Sequence, residues 1–369
     1  MKRIDIFIHS LKGGGAERVC VTLANEFVKK GIKTRIIMLY SEGAKYTENL
    51  SDLVELISLN NKKNTFECLK NLNRYLKNEN LDKVFVFNNN IAIIMMIFKK
   101  IYKYRYKVIS RNINTLTLEK KHEKSLFKKY VLHNILSFLY RKVDYCICQS
   151  KGMAEDLIEN YNFDKNKISI INNPVSDKFD KFKIKEYKGK NEILFVGRIE
   201  DQKGIHMLIA AFSMVLNKIP NAHLKIVGEG SLKEELVKKS EELKIKEKII
   251  WKDFSKDIES IYKNASVVVL SSYFEGFPNV LVEAITIGLP VVSFDCPSGP
   301  SEIIVNGVNG YLVDYLNVKE LSEALINALN KEWNILDIQK TSLRFNRENI
   351  SQKYLDVIEK FDLENVRSL

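Results

Sequence analysis

The sequence predicts an α/β protein of two Rossmann-like, doubly wound domains, each a parallel sheet covered by helices. The chain has 369 residues, which is more than one hydrophobic core usually supports. Apolar strand-like runs alternate with helical stretches, and this alternation is typical of parallel sheets. The alternation occurs twice, and the polar segments Asn172–Val175 and Ser176–Asn191 between the two rounds have the composition of a linker.

The elements follow in order along each half. In the first half a helix is expected over Ala16–Lys29, with strands at Arg3–Ile8, Lys33–Leu39, Lys83–Phe87, Lys107–Ser110 and Asp144–Gln149. In the second half strands are expected at Glu192–Val196, His223–Val227, Lys248–Trp251, Ser266–Leu270 and Pro290–Phe294, with helices at His206–Leu216 and Leu232–Leu243. A last helix, Glu348–Lys360, has no strand after it. We therefore place the domains at residues 1–175 and 188–345.

The charge of the chain is unevenly distributed. The net charge is +12, yet residues 1–186 carry 35 basic and 20 acidic side chains, whereas residues 187–369 carry 23 and 26. Residues 98–142 alone hold 13 basic and 2 acidic side chains, interleaved with aromatic residues and leucines. This composition favours contact with an anionic membrane surface, and a solvated lysine-rich face or nucleic acid are the alternatives.

Cysteine usage and hydropathy limit the class of protein further. The five cysteines are scattered without metal-ligand spacing, which indicates a reducing compartment. No apolar run approaches the ~20 residues of a membrane span, and no signal sequence is recognised at the start. The chain is expected to act in the cytoplasm, at the inner face of the cell membrane.

The most informative segment is the run from Glu275 to Glu283. Gly276 and Pro278 predict a turn that opens a helix, and the amides at such a helix N-terminus can bind an anion. Glu275 is expected before this helix and Glu283 two turns inside it, about 12 Å further along the same face. The two carboxylates could then hold opposite ends of one extended ligand, such as a sugar nucleotide.

A second segment, Gly197–Gly204, follows the first strand of the second half. Arg198 and Lys203 can converge there on one pyrophosphate, the first as a planar fork and the second as a point charge. No D-x-D sequence occurs in the chain, so protein cations would neutralise a leaving diphosphate in place of a metal ion. We expect no metal and no cofactor.

Together these segments resemble the donor-site signature of the GT-B retaining glycosyltransferases, family 4-like, a group that includes bacterial capsule and lipopolysaccharide sugar transferases. The resemblance implies two domains that face each other across a cleft, with a C-terminal helix, residues 348–366, that crosses back to the first domain. It implies that Glu275 orients hydroxyls of the donor sugar and supports developing positive charge, and that Glu283 binds the ribose. Catalytic roles fall to Glu275, Arg198 and Lys203.

The resemblance extends to other loops. The residues expected to bind the donor are Gly14, Gly15, Gly197, Arg198, Lys203, Gly228, Phe254, Glu275, Gly276, Phe277, Asn279, Val280 and Glu283. Gly13, Arg111 and Asn112 are expected on the acceptor side, facing the cleft. Many relatives carry a histidine where this chain has Arg111 and Asn112, so the acceptor-side chemistry cannot be carried over from them.

The sequence therefore predicts an enzyme that transfers a hexose or N-acetylhexosamine from a nucleotide sugar, preferably UDP-linked, to a lipid-linked or growing cell-surface glycan. Two alternatives stay open. One is a sugar-nucleotide epimerase or hydrolase of the same fold, which would need no acceptor. The other is a noncatalytic protein that binds glycan or nucleotide and assists a synthase.

Overall fold

The structure is a computed structural model, and it describes residues 3–44, 46–60, 64–122, 125, 133–184, 191–253, 255 and 257–363. The chain forms two compact units. Unit 1 contains the residues up to Ser176 together with those from Asn346 onwards, and unit 2 contains Asp177–Phe345. The chain thus leaves unit 1 once and returns to it with its last helix.

Unit 1 is built on a parallel sheet. Its strands are β1 (Arg3–Ile8), β2 (Lys33–Met38), β3 (Glu55–Ser58), β4 (Lys83–Phe87), β5 (Lys107–Arg111), β6 (Tyr145–Cys148) and β7 (Ile168–Ile170). They lie in the order β3-β2-β1-β4-β5-β6-β7, and every neighbouring pair is parallel. Strands of such sheets are buried on both faces, which explains their continuous apolar runs.

Helices cover both faces of this sheet. They are α1 (Gly15–Lys29), α2 (Thr65–Glu79), α3 (Asn89–Ile101), α4 (Leu116–His122), α5 (His133–Tyr140), α6 (Lys151–Tyr161) and α14 (Arg347–Leu363). Neighbouring strand residues alternate between two apolar clusters: Val84 and Val86 join the one containing α2 and α3, whereas Phe85 and Phe87 join the one containing α1 and α14. The C-terminal helix is therefore part of the core of unit 1, where Tyr354 is fully buried.

Unit 2 repeats the architecture with six strands. They are β8 (Glu192–Val196), β9 (His223–Val227), β10 (Ile249–Lys252), β11 (Ala265–Leu270), β12 (Val291–Phe294) and β13 (Gly310–Val313), in the order β10-β9-β8-β11-β12-β13. Its helices are α7 (Lys178–Lys181), α8 (Ile205–Leu216), α9 (Lys233–Glu242), α10 (Ile258–Tyr262), α11 (Asn279–Ile287), α12 (Val318–Asn330) and α13 (Ile335–Ser342). All neighbouring strands are again parallel.

The predicted fold class is confirmed, and each predicted strand lies within one residue of its expected bounds. The sequence missed three strands, β3, β7 and β13, and each of them is an edge of its sheet. Edge strands are short and partly exposed, so their residues lack a clear apolar pattern. No helix in the described parts of the chain is both long and apolar enough to cross a membrane.

Candidate active site

The two predicted donor segments meet at one place in unit 2. The strand order reverses between β8 and β11, which pair directly. Connections leaving two such strands diverge, and ligands of doubly wound sheets bind at the carboxyl ends beside this reversal. β8 leads into residues 197–204 and β11 leads into residues 271–278. The topology alone therefore brings Lys203 and Glu275 together, although 72 positions separate them in sequence.

Glu275 forms the centre of this site. Its side chain is 9% exposed, and its Oε1 accepts hydrogen bonds from Lys203 Nζ at 2.5 Å and from Ser272 Oγ at 2.5 Å. The Lys203 side chain is itself only 15% exposed. A carboxylate and an ammonium that are in contact and largely buried can stabilise opposite charges that develop on neighbouring atoms of a ligand.

Gln202 connects the two loops, and sequence reasoning missed it. Its side-chain Nε2 donates to the main-chain carbonyl oxygen of Phe274 at 2.9 Å, and its main-chain carbonyl oxygen accepts from the main-chain amide of Tyr273 at 2.9 Å. Its Oε1 accepts from Nη2 of the exposed Arg198 at 3.1 Å. One amide side chain thus fixes the guanidinium that was expected at the diphosphate to the segment that carries Glu275.

Glycines let these loops approach closely. A Cβ on Gly228, whose φ is +151°, would lie 1.9 Å from the carbonyl oxygen of Gly197. A Cβ on Gly204, at φ +56°, would lie 2.3 Å from the carbonyl oxygen of Ser271. No other residue fits where backbone meets backbone at these distances. Gly228 was expected as a ligand residue, and the structure also gives it a packing role beneath the site.

Helix α11 begins later than the sequence suggested. Pro278 is its N-cap, with extended ψ, and Asn279 and Val280 form its first turn. Glu283 therefore lies in the second turn, about one turn from the start, so the expected placement two turns inside the helix was wrong. Glu275 lies on the preceding loop and shares no helix face with Glu283, which is 6% exposed.

The Gly276–Phe277 turn rests on a second loop. The carbonyl of Gly276 accepts a hydrogen bond from Ser298 Oγ at 3.0 Å, and Phe277 packs edge-on against Phe345 with ring centroids 5.6 Å apart. A Cβ on Gly299, at φ +103°, would lie 2.5 Å from Pro278 Cδ. Buried packing of this kind holds the N-terminus of α11 in a fixed position, where its amides can face an anion.

A buried thiol adjoins the Glu275 carboxylate. Burial and the nearby carboxylate raise the pKa of Cys296, although the Lys203 ammonium opposes that shift. A thiol with a raised pKa stays protonated at neutral pH and is a poor nucleophile. The Cys296 thiol is therefore not expected to act as a nucleophile beside Glu275 and Lys203. The remaining predicted donor residue, Phe254, lies outside the described residues.

The strand order of the sheet in unit 1 also reverses, between β1 and β4. Gly13, at φ +142°, and Gly14, the N-cap of α1, follow β1, and Gly15 begins the helix. Asn88 follows β4 with φ 147°, and its Oδ1 accepts from the amide of Asn90 at 2.7 Å. Sequence reasoning missed this asparagine run, and its signal was three polar amides directly after an apolar strand.

Arg111 and Asn112 are buried inside unit 1, so the expectation that they face an open cleft was wrong. Both side chains are fully inaccessible. Arg111 donates from Nε to Tyr354 Oη at 3.1 Å and from Nη2 to Asn173 Oδ1 at 2.5 Å, and it lies 4.9 Å from the ring of Phe87. A buried guanidinium needs such partners because desolvation is costly. Arg111 therefore ties α14 and the residues after β7 to the sheet.

Comparisons with known proteins cover both units. The family model described as Glycosyltransferase Family 4 matches residues 13–179, and the model described as Glycosyl transferases group 1 matches residues 176–349. The chain is a family 4-like GT-B glycosyltransferase.

Bacterial glycosyltransferases are among the relatives of this chain. An N-acetylgalactosamine-N,N'-diacetylbacillosaminyl-diphospho-undecaprenol 4-alpha-N-acetylgalactosaminyltransferase of Campylobacter jejuni is 28% identical over 351 residues, which cover 90% of this chain and 91% of the relative. The lipopolysaccharide 1,6-galactosyltransferase of Escherichia coli is 34% identical over 179 residues, which cover 46% and 48%.

Solved structures support the fold. HepE of Anabaena, determined in complex with UDP and glucose, aligns with a TM-score of 0.79 at 17% identity and covers 98% of this chain and 100% of its own. The apo form of the lipopolysaccharide outer core galactosyltransferase WaaB aligns with a TM-score of 0.75 at 22% identity, covering 98% and 99%. At these identities the likeness concerns the architecture of the glycosyltransferase alone.

Proposed function

We propose that this glycosyltransferase moves a hexose or N-acetylhexosamine from a UDP-sugar to a lipid-linked or growing cell-surface glycan, with retention at the anomeric carbon. The observation that carries the proposal is the contact between Glu275 and Lys203 at the β8–β11 reversal. A glycosyl transfer separates a positive sugar carbon from a negative phosphate, and this pair offers a carboxylate and an ammonium side by side.

The chemistry follows from these charges. The bond between the anomeric carbon and the diphosphate breaks, a bond to the acceptor oxygen forms, and the proton of the acceptor hydroxyl passes to an oxygen of the departing diphosphate. Glu275 orients sugar hydroxyls and supports the positive charge on the ring, while Lys203, Arg198 and the N-terminus of α11 hold the departing UDP. Glu283 binds the ribose. Because these groups supply the positive charge, we propose that no divalent ion is needed.

Named relatives support the choice of substrates. The Campylobacter relative uses a diphospho-undecaprenol acceptor by its name, and the Escherichia relative acts on lipopolysaccharide. HepE was determined with UDP and glucose. These properties belong to those proteins, and we transfer to this chain only the shared chemistry: a UDP-linked donor and an acceptor carried on a lipid or a surface glycan.

Unit 1 offers a surface for the membrane on which such an acceptor is held. Helices α3 and α5 pack together, and five large apolar side chains stay exposed on or directly after them: Ile97, Ile101, Tyr102, Ile135 and Phe138 at 36%, 64%, 48%, 53% and 47%. Basic residues are frequent along the sequence of this region, and Lys120, Arg141 and Lys142 lie on or directly beside α4 and α5. Apolar side chains set among cations match the interface of an anionic bilayer, and we propose peripheral binding there on the cytoplasmic face.

A transfer assay tests the proposed function. A panel of UDP-sugars is incubated with short undecaprenyl-diphosphate-linked acceptors, with and without EDTA, and products are read by mass shift and by the anomeric coupling in NMR spectra. One UDP-hexose or UDP-N-acetylhexosamine should add a single sugar with retained configuration, unaffected by EDTA. Donor turnover that ignores the acceptor would indicate an epimerase or hydrolase instead, and tight UDP binding without turnover would indicate a noncatalytic protein.

A further inference from the structure

An open pocket lies in unit 1, on a different unit from the donor site. It has a volume of about 420 Å³ and is bounded by α4, α5 and the end of α6. Lys120 lines it from α4, Asn134 and Phe138 from α5, Arg141 from the residue directly after α5, and Tyr161 from α6. Its volume falls within the range of small-ligand sites. Nothing in the proposed sugar transfer uses it.

The pocket carries positive charge that its protein neighbours leave largely uncompensated. Arg141 lies over the Phe138 ring with its guanidinium carbon 4.4 Å from the centroid, and Lys142 Nζ lies 4.4 Å from the same centroid. Within the described part of the chain, neither cation has a carboxylate partner. Lys120 donates to Asn134 Oδ1 at 2.8 Å, a neutral acceptor that leaves its charge intact.

A buried carboxylate, Asp156, lies next to this pocket and offsets part of its positive charge. Asp156 is 7% exposed, and its two oxygens accept from the amide of Thr117 at 3.2 Å and from Asn160 Nδ2 at 3.0 Å. On the other side, burial and the Lys120 ammonium lower the pKa of His133. Burial is the largest cause of this pKa shift and the Asp156 carboxylate opposes it, so the positive charge of the pocket rests on Arg141 and Lys120.

One large apolar side chain, Phe138, lines the pocket, and the other lining residues are polar or charged apart from the Tyr161 ring. Ile135 and Phe138 are exposed at 53% and 47%, and they lie three residues apart on one face of α5. A guanidinium recognises phosphate oxygens as a planar fork, and an ammonium adds a point charge. A soluble phosphate compound would leave Ile135 and Phe138 in water, whereas a lipid headgroup brings hydrocarbon against them. The geometry therefore favours a phosphate that is attached to a membrane.

We propose that this pocket binds the phosphate of an anionic glycerophospholipid headgroup, with Arg141 as the fork, Lys120 as the point charge and Ile135 and Phe138 against the acyl region. This inference rests on the membrane contact proposed above. It adds a defined site to what would otherwise be diffuse attraction. The pocket would thus orient unit 1 on the membrane rather than only concentrate the enzyme there.

The test distinguishes bidentate binding of phosphate by the Arg141 guanidinium from attraction that depends on charge alone. The variants Arg141→Lys and Arg141→Gln are compared with wild type in flotation with phosphatidylglycerol vesicles at fixed ionic strength. Lys70→Gln, a charge loss at an exposed site on α2, is the matched control. The pocket predicts that both Arg141 variants lose about tenfold or more in vesicle affinity and that the control changes less than twofold. Equal binding by Arg141→Lys and wild type would overturn the proposal, because diffuse attraction depends on charge alone.

A second arm identifies the source of the phosphate. Glycerol 3-phosphate is titrated into the protein without vesicles, and binding is followed by amide shifts in NMR spectra. If it binds at Arg141 while vesicle affinity ignores Arg141→Lys, the pocket takes a soluble phosphate and the lipid assignment is wrong. Transfer to a short water-soluble acceptor should be unchanged in every variant. If the wild-type protein does not transfer a sugar to this acceptor, the proposed function is contradicted. The vesicle result can still be interpreted in that case, because it measures membrane binding alone.

Discussion

Replacing Gln202 by methionine should disturb the alignment of the two donor-site loops, residues 197–204 and 271–278, without unfolding unit 2. Methionine has nearly the same length and shape, but it has no amide to donate to Phe274 or to accept from Arg198. The main-chain bond between Tyr273 and residue 202 stays, because it does not involve the side chain. The change therefore removes two hydrogen bonds and little packing.

The magnitude follows from the two bonds that are lost. The bond to the Phe274 carbonyl at 2.9 Å joins neutral groups and contributes about 1 kcal/mol, whereas the bond from Arg198 at 3.1 Å involves a charge and contributes about 1.5 kcal/mol. Together the two bonds contribute about 2.5 kcal/mol to holding Arg198 and the segment that carries Glu275 in position. If most of this is expressed in the transition state, kcat/KM should fall about 30-fold or more.

The assay measures UDP release with the preferred donor and acceptor, alongside thermal unfolding. Gln339→Met is the matched control, since Gln339 is also half-buried in unit 2 and donates to a main-chain carbonyl, that of Ile287 at 3.4 Å. The control should keep kcat/KM within twofold of wild type. A Gln202→Met enzyme with unchanged kcat/KM, or one whose loss equals that of the control, would refute the positioning role.

Two further predictions concern stability. Gly228→Ala should lower the free energy of unfolding, measured in urea, by about 3 kcal/mol, because its Cβ would lie 1.9 Å from the Gly197 carbonyl oxygen. The control Gly31→Ala, at φ +78° with no atom nearby, should lower it by about 1 kcal/mol. Equal losses in the two variants would contradict the packing role of Gly228. The hydrogen bond from Arg35 lowers the pKa of Glu79, so the pair stabilises the fold above the carboxyl's unfolded pKa and the gain is lost as pH falls through the lowered value. Glu79→Gln should flatten this acid-side fall in melting temperature, and an unchanged profile would contradict the assignment.

The elements that the sequence predicted well are those whose pattern is set locally. The central strands of both sheets are continuous apolar runs, so their bounds are visible without the fold. The edge strands β3, β7 and β13 carry mixed residues, and only their pairing partners make them strands. The start of α11 was misjudged because Pro278 fits both the cap and the first turn of a helix.

The candidate site divides in the same way. Glu275 and Lys203 could be named from their motifs, and the strand order explains why they meet. Gln202 could not be found, because its role depends on a carbonyl 72 positions away that no local pattern marks. Arg111 was misplaced for a similar reason: its partner Tyr354 is 243 positions away, and that distance hides the burial of both.

The most direct test of the central claim compares turnover with nucleotide binding in Glu275→Gln. The glutamine keeps the shape of the side chain but removes the negative charge beside Lys203 and Ser272. We predict that kcat falls about 100-fold or more, as when preorganised charge is lost from an active site, while the Kd for UDP measured by calorimetry stays the same or tightens. A variant that binds UDP normally and turns over within twofold of wild type would contradict the account.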